Sequence, residues 1–88
     1  MNPSLHTVVT LPDFTLKAVF QNGEVRMYAV SRLFGEIPEF AALPAMPGLF
    51  EQASVDPSGR AVIWNDELDL ASEEIYLNGM TICEEFIG

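Results

Sequence analysis

Phe14-Thr15-Leu16-Lys17-Ala18-Val19-Phe20-Gln21-Asn22-Gly23-Glu24-Val25-Arg26-Met27-Tyr28-Ala29-Val30 is the stretch that decides the fold. Two runs of strand character flank Asn22-Gly23. Asn-Gly favours a two-residue type I′ turn, because both of its central positions need φ > 0. Such a turn places Gln21 opposite Glu24, Phe20 opposite Val25, Ala18 opposite Met27 and Leu16 opposite Ala29. That face is apolar throughout. The other face pairs Val19 with Arg26, Lys17 with Tyr28 and Thr15 with Val30, and is expected to be mixed and partly wet. Turn chemistry and hydrophobic alternation agree on a hairpin.

Working outward, Leu5 to Leu11 reads as a preceding strand ended by Pro12-Asp13. Ser31-Arg32-Leu33-Phe34 reads as a short helical turn with Ser31 as N-cap. Pro38, Pro44 and Pro47 alternate with Phe40, Leu43, Leu49 and Phe50, so this stretch should pack on the core. Met46 to Ala53 is a candidate short helix with Pro47 early in it, where the missing N–H does no harm. A second hairpin is expected around Asp56-Pro57-Ser58-Gly59, with Pro at the first central turn position and Gly suited to the left-handed one. Its flanks are Ala53 to Val55 and Arg60 to Trp64. Asn65-Asp66 makes a further turn, and Leu68 to Leu70 a short strand. Ser72 then caps a helix carrying Glu73 and Glu74 in its first turn, where acids complement the helix dipole, and Asn78-Gly79 stops it. The predicted fold class is α+β: a small antiparallel strand meander with two hairpins and two or three short helices packed on one face.

The chain has 88 residues, enough for one domain over 1–88 and one small core. Its thirteen acids and four Lys and Arg give a net charge of −9. The imbalance is local. Residues 1–60 hold six acids and four bases, whereas residues 61–88 hold seven acids and no base. A phosphate-binding surface needs clustered Lys and Arg, so direct nucleic-acid binding by the chain is not expected. At 49% hydrophobic residues the composition is not that of a disordered chain. No apolar run is long enough to span a membrane, no signal peptide is visible, and a single cysteine allows no internal disulfide; a cytoplasmic location is expected.

From roughly His6 to Gly79 the chain resembles a bacterial family known as domain of unknown function 2442. The resemblance rests on the Phe14 to Val25 hairpin, Ser31-Arg32-Leu33, Phe40 with Leu43, Leu49-Phe50, Val55-Asp-Pro-Ser-Gly-Arg-Ala-Val-Ile-Trp64, Asp69-Leu70 and the short helix ending near Tyr76. It implies a small α+β domain. Relatives fused to DNA-binding helical domains or found in operons resembling toxin–antitoxin loci imply a partner rather than a reaction. Residues 80–88 then form an acidic C-terminal tail.

No catalytic constellation emerges. His6 and Cys83 are the only residues of their kinds, so a His/Cys zinc site cannot be completed. Cys83 lies beside Glu84 and Glu85, which oppose a thiolate. Asp66, Glu67, Asp69, Glu73 and Glu74 lack the spacing of a calcium loop. No cofactor motif is present. The aromatic residues Phe34, Phe40, Phe50 and Tyr76 are expected in the core, with Trp64 as a rim residue whose N–H is wet.

The reading is therefore a non-enzymatic protein-interaction module, antitoxin-like in its sharpest version, that meets a basic protein partner through Trp64, Asp66, Glu67, Asp69, Glu73 and Glu74. Two alternatives stand beside it: a self-associating structural domain forming a homodimer, and a small-ligand or divalent-metal sensor.

Overall fold

A computed structural model describes residues 3–81. Among these residues, seven strands form two antiparallel sheets, which share one core with two short α-helices and several single 3₁₀ turns. In the first sheet β1 (Leu5–Leu11), β2 (Thr15–Phe20), β3 (Val25–Ala29) and β7 (Met80–Thr81) lie in the order β1-β2-β3-β7. In the second, β4 (Ser54–Val55), β5 (Ala61–Asn65) and β6 (Leu68–Ala71) lie in the order β4-β5-β6. Between the sheets run 3₁₀ turns at Val30–Leu33 and Pro38–Ala41, α1 (Ala42–Ala45), and a further 3₁₀ turn at Phe50–Gln52. The helix α2 (Ser72–Asn78) follows β6 directly. The expected α+β class holds, as do both predicted hairpins.

The first hairpin is shifted by one residue from the expected register. Val19 faces Val25, Ala18 faces Arg26, Lys17 faces Met27 and Leu16 faces Tyr28. The turn is the cause. Gly23 N–H donates to Phe20 C=O, and Phe20 N–H donates to Glu24 C=O. The loop is therefore Gln21-Asn22-Gly23, with only Gly23 at positive φ, +91°. This is a three-residue loop closed by a left-handed Gly, the next commonest solution after type I′. A one-residue slip moves every side chain of β3 to the other face. Tyr28 and Arg26 consequently join Leu16, Ala18 and Phe20 on the buried side, while Ala29 is exposed.

The β1–β2 connection turns at Pro12–Phe14, where Asp13 and Phe14 both take left-handed backbone angles. A bulky residue there is strained. Phe14 is held by edge-on contacts to Phe34 and Phe50, each 5.3 Å between ring centroids.

Three other local readings change. Ser31 and Ser72 are the second and first residues of their helical turns, not caps; Ala29 and Ala71 precede those turns, and neither turn has a side-chain cap. Ser72 is instead buried, its N–H donating to Arg60 C=O. Met46 to Ala53 is not one helix: Leu49 N–H donates to Met46 C=O around Pro47-Gly48, and only Phe50–Gln52 is helical. Gly48 takes φ +86°, which a helix does not allow. Finally, Met80 and Thr81, read as the start of the tail, pair with Met27 and Arg26. Gly79 permits this, because a Cβ there would lie 2.5 Å from Ile75 O and 3.1 Å from Arg26 Cβ.

The core joins both sheets. Leu5, Leu16, Phe20 and Tyr28 from the first pack with Val62, Trp64, Leu68 and Leu70 from the second, and with Phe40, Leu43, Phe50 and Ile75 between them. Trp64 is 5% exposed and its Nε1–H donates to Phe50 C=O at 3.0 Å. It is a core residue with a satisfied N–H, not a wet rim residue.

Candidate groove along the second sheet

The second sheet ends at β6, and β5 is its only strand partner among the described residues. Val62 faces Leu70 and Ala61 faces Ala71. Ser72 N–H donates to Arg60 C=O, so the bonded pairs of this ladder fall at Leu70 and Ser72. The alternation of an antiparallel ladder then turns the N–H groups of Asp69 and Ala71 away from β5. Side chains alternate as well: Leu68 and Leu70 are buried, and Asp69 and Ala71 are exposed.

Across from this edge lies the segment from Leu33 to Phe40. The space between is a groove. One part, about 320 Å³, is lined by Leu33, Glu36, Ile37, Phe40, Asp69, Leu70, Ala71 and Glu74. A second, about 330 Å³, is lined by Ile37, Glu39, Phe40, Glu67, Leu68 and Asp69. They share Ile37, Phe40 and Asp69. The floor is apolar and the rim carries Glu36, Glu39, Glu67, Asp69 and Glu74. Among the described residues, none of those lining the groove is Lys, Arg or His.

The expected site residues divide accordingly. Glu67, Asp69 and Glu74 line the groove, whereas Trp64, Asp66 and Glu73 do not. Glu74 is further tied down. It accepts hydrogen bonds from the Tyr28 hydroxyl at 2.7 Å and Asn78 Nδ2 at 3.0 Å. Burial, with the Glu74 carboxylate beside it, pushes the Tyr28 hydroxyl above its ordinary pKa of 10. The opposite wall, Glu36, Ile37, Glu39 and Phe40, was missed by sequence reading. Its signal is the alternation of acid and apolar residues in Glu36-Ile37-Pro38-Glu39-Phe40, with Ile37 still 38% exposed in the folded chain.

On the far side of α2 the polar groups are internally matched. Arg26 is 8% exposed. Its guanidinium donates to Tyr76 C=O at 3.1 Å and to Glu24 Oε1 at 2.8 Å, and lies 4.4 Å from the Tyr76 ring centroid. The Tyr76 hydroxyl donates to Glu24 Oε2 at 2.8 Å. Those hydrogen bonds, from Tyr76 first and then Arg26, hold the Glu24 carboxyl below its ordinary pKa.

The family described as Protein of unknown function (DUF2442) matches residues 5–81. The chain belongs to the DUF2442 family. The match runs from the first residue of β1 to the last of β7, so both sheets and both walls of the groove are part of the DUF2442 region. Neither the curated proteins nor the solved structures compared with the chain give a match.

Among the described residues, no group of three or more His, Cys, Asp and Glu side chains is placed to hold a metal ion. His6 is exposed on β1. Cys83, with Glu84 and Glu85, lies outside the described residues. No helix among the described residues is long and apolar enough to cross a membrane.

Proposed function

We propose that this domain is a non-enzymatic protein-interaction module of the cytoplasm that takes a basic segment of a partner protein in the groove beside β6. The observation that carries this is the composition of the groove among the described residues: an apolar floor, five carboxylates on the rim and no cationic side chain. Opposed charge speeds encounter and discriminates against acidic partners. An antitoxin-like role, in which the basic partner is a toxin, is the sharpest form of this reading.

The test is a titration of the isotope-labelled domain with a capped seven-residue peptide alternating Val and Lys, followed by amide chemical shifts. Shifts should concentrate at 33–42 and 67–74, weaken with added salt, and be absent with the Val and Glu counterpart. Equal binding of both peptides, or shifts scattered over acids elsewhere, overturns the proposal.

Self-association draws support from a different place. Leu77 and Met80 are 61% and 68% exposed at the end of α2 and the start of β7. Light scattering after gel filtration decides it: a strict monomer at high concentration removes this second reading.

A further inference from the structure

The groove has one wall that is a strand edge with no further strand beside it among the described residues. Resting on the reading above, we infer that the partner enters as an extended strand that adds to β6, rather than as a helix or a charged loop laid on the surface. An edge strand with unpaired N–H groups is a template for another strand, and addition to a sheet edge is a recurrent mode of peptide capture. Here the N–H groups of Asp69 and Ala71 point away from β5, and both residues line the groove.

Side-chain alternation fixes what the added strand should look like. Residues beside Leu68 and Leu70 would point down onto Ile37 and Phe40, so they should be apolar. Residues beside Asp69 would point up to the acidic rim, so they should be Lys or Arg. Main-chain bonds would supply affinity and the alternating pockets specificity. A second copy of this chain is a poor occupant, because its own net charge is −9.

The structure also supplies a clean variant. Ala71 has φ −64° and ψ 138°, close to the angles proline requires. Leu70 before it lies in a strand, which proline also accepts. Ala71→Pro therefore removes an outward N–H without changing charge or backbone path.

The experiment uses the Val and Lys peptide with backbone N-methyl groups on all its Lys residues or on all its Val residues. Charge and side chains are unchanged in both. A strand presents alternate N–H groups to its neighbour, so one methylated series should lose binding at least tenfold and the other stay within about twofold. Loss in the Lys series marks an antiparallel addition, and loss in the Val series a parallel one. Ala71→Pro should weaken the unmethylated peptide severalfold at an unchanged urea midpoint. If both methylated series bind like the parent peptide, or both lose equally, strand addition is overturned while the groove survives. If the parent peptide itself does not bind, the groove reading falls and this inference with it. A folded Ala71→Pro domain that binds the parent peptide undiminished also counts against the added strand.

Discussion

The α2–β3 contact and the β6 groove are both rich in glutamate, and they treat it in opposite ways. At the first, Glu24 accepts hydrogen bonds from Asn22, Arg26 and Tyr76, and Glu74 from Tyr28 and Asn78. At the second, the carboxylates of Glu36, Glu39, Glu67 and Asp69 accept none among the described residues. The chain has four Lys and Arg, and Arg26 and Arg32 are committed to the first region, where Arg32 lies over the Tyr28 ring. Polar groups matched inside one molecule support its fold. Polar groups left unmatched along an apolar groove do not, and they gain a role only with a partner of opposite charge.

If that contrast is right, the largest effect should come from Arg26. Arg26→Met keeps the apolar stem but removes the donors to Tyr76 C=O and Glu24 and the cation over the Tyr76 ring. Leaving a part-buried carbonyl without its partner, plus the lost cation–π contact, should destabilise by about 2–4 kcal/mol. Urea unfolding measures this, with the midpoint falling at an unchanged slope. A loss below about 0.5 kcal/mol, the range of an ordinary surface change, would break the distinction between the two regions.

Tyr28→Phe is the next step down. It removes one hydrogen bond to a carboxylate and should cost about 1 kcal/mol at neutral pH. It also carries a sign in alkali. The folded-state pKa of Tyr28 is raised above 10, so the folded chain favours the protonated phenol. The stability this provides is complete below about pH 10 and is lost as pH rises towards the folded value. The alkaline limb of a stability–pH curve should therefore flatten in Tyr28→Phe.

Glu24 gives the opposite limb. Its pKa is lowered from 4.5 by Tyr76 and Arg26, so its contribution is complete above that value. It disappears as pH falls through the lower folded value. Glu24→Gln should be less stable than the parent near neutral pH and should lose less on acidification. Curves that stay parallel down to pH 3 would show that the Arg26 network does not depend on the charge of Glu24.

These tests also mark where sequence was informative. The hairpin, its strands and the Asp56-Pro57-Ser58-Gly59 turn were legible because Gly and Pro restrict backbone angles locally. The register of the first hairpin was not. Asn22-Gly23 serves a two-residue or a three-residue loop equally well, and β3 offers Val25 and Met27 on one face and Arg26 and Tyr28 on the other. Apolar counting prefers Met27 inside. The structure buries Arg26 because Tyr76 and Glu24, about fifty residues apart, both reach it. The groove was half legible for a related reason. Glu67, Asp69 and Glu74 stood out as part of a base-free stretch, but their opposite wall comes from the segment after β3. Trp64 was misplaced because its partner, Phe50 C=O, belongs to a segment read as helix.

The smallest expected effect is the sharpest statement about the groove. Replacing Glu67 by Gln and Asp69 by Asn together removes two charges that make no hydrogen bond or ion pair among the described residues. Surface changes of this kind usually fall within about 0.5 kcal/mol. Here the sign should be positive, because like charges on the rim repel and the whole chain carries −9. The repulsion is screened by salt. The parent domain should therefore gain stability as salt is added at neutral pH, and the double variant should gain less. Binding of the Val and Lys peptide should move the other way, weaker in the double variant and with a shallower salt dependence. A double variant that is less stable than the parent at low salt would mean that these carboxylates support the fold after all, and that the groove and the α2–β3 contact are not the two kinds of surface their hydrogen bonds describe.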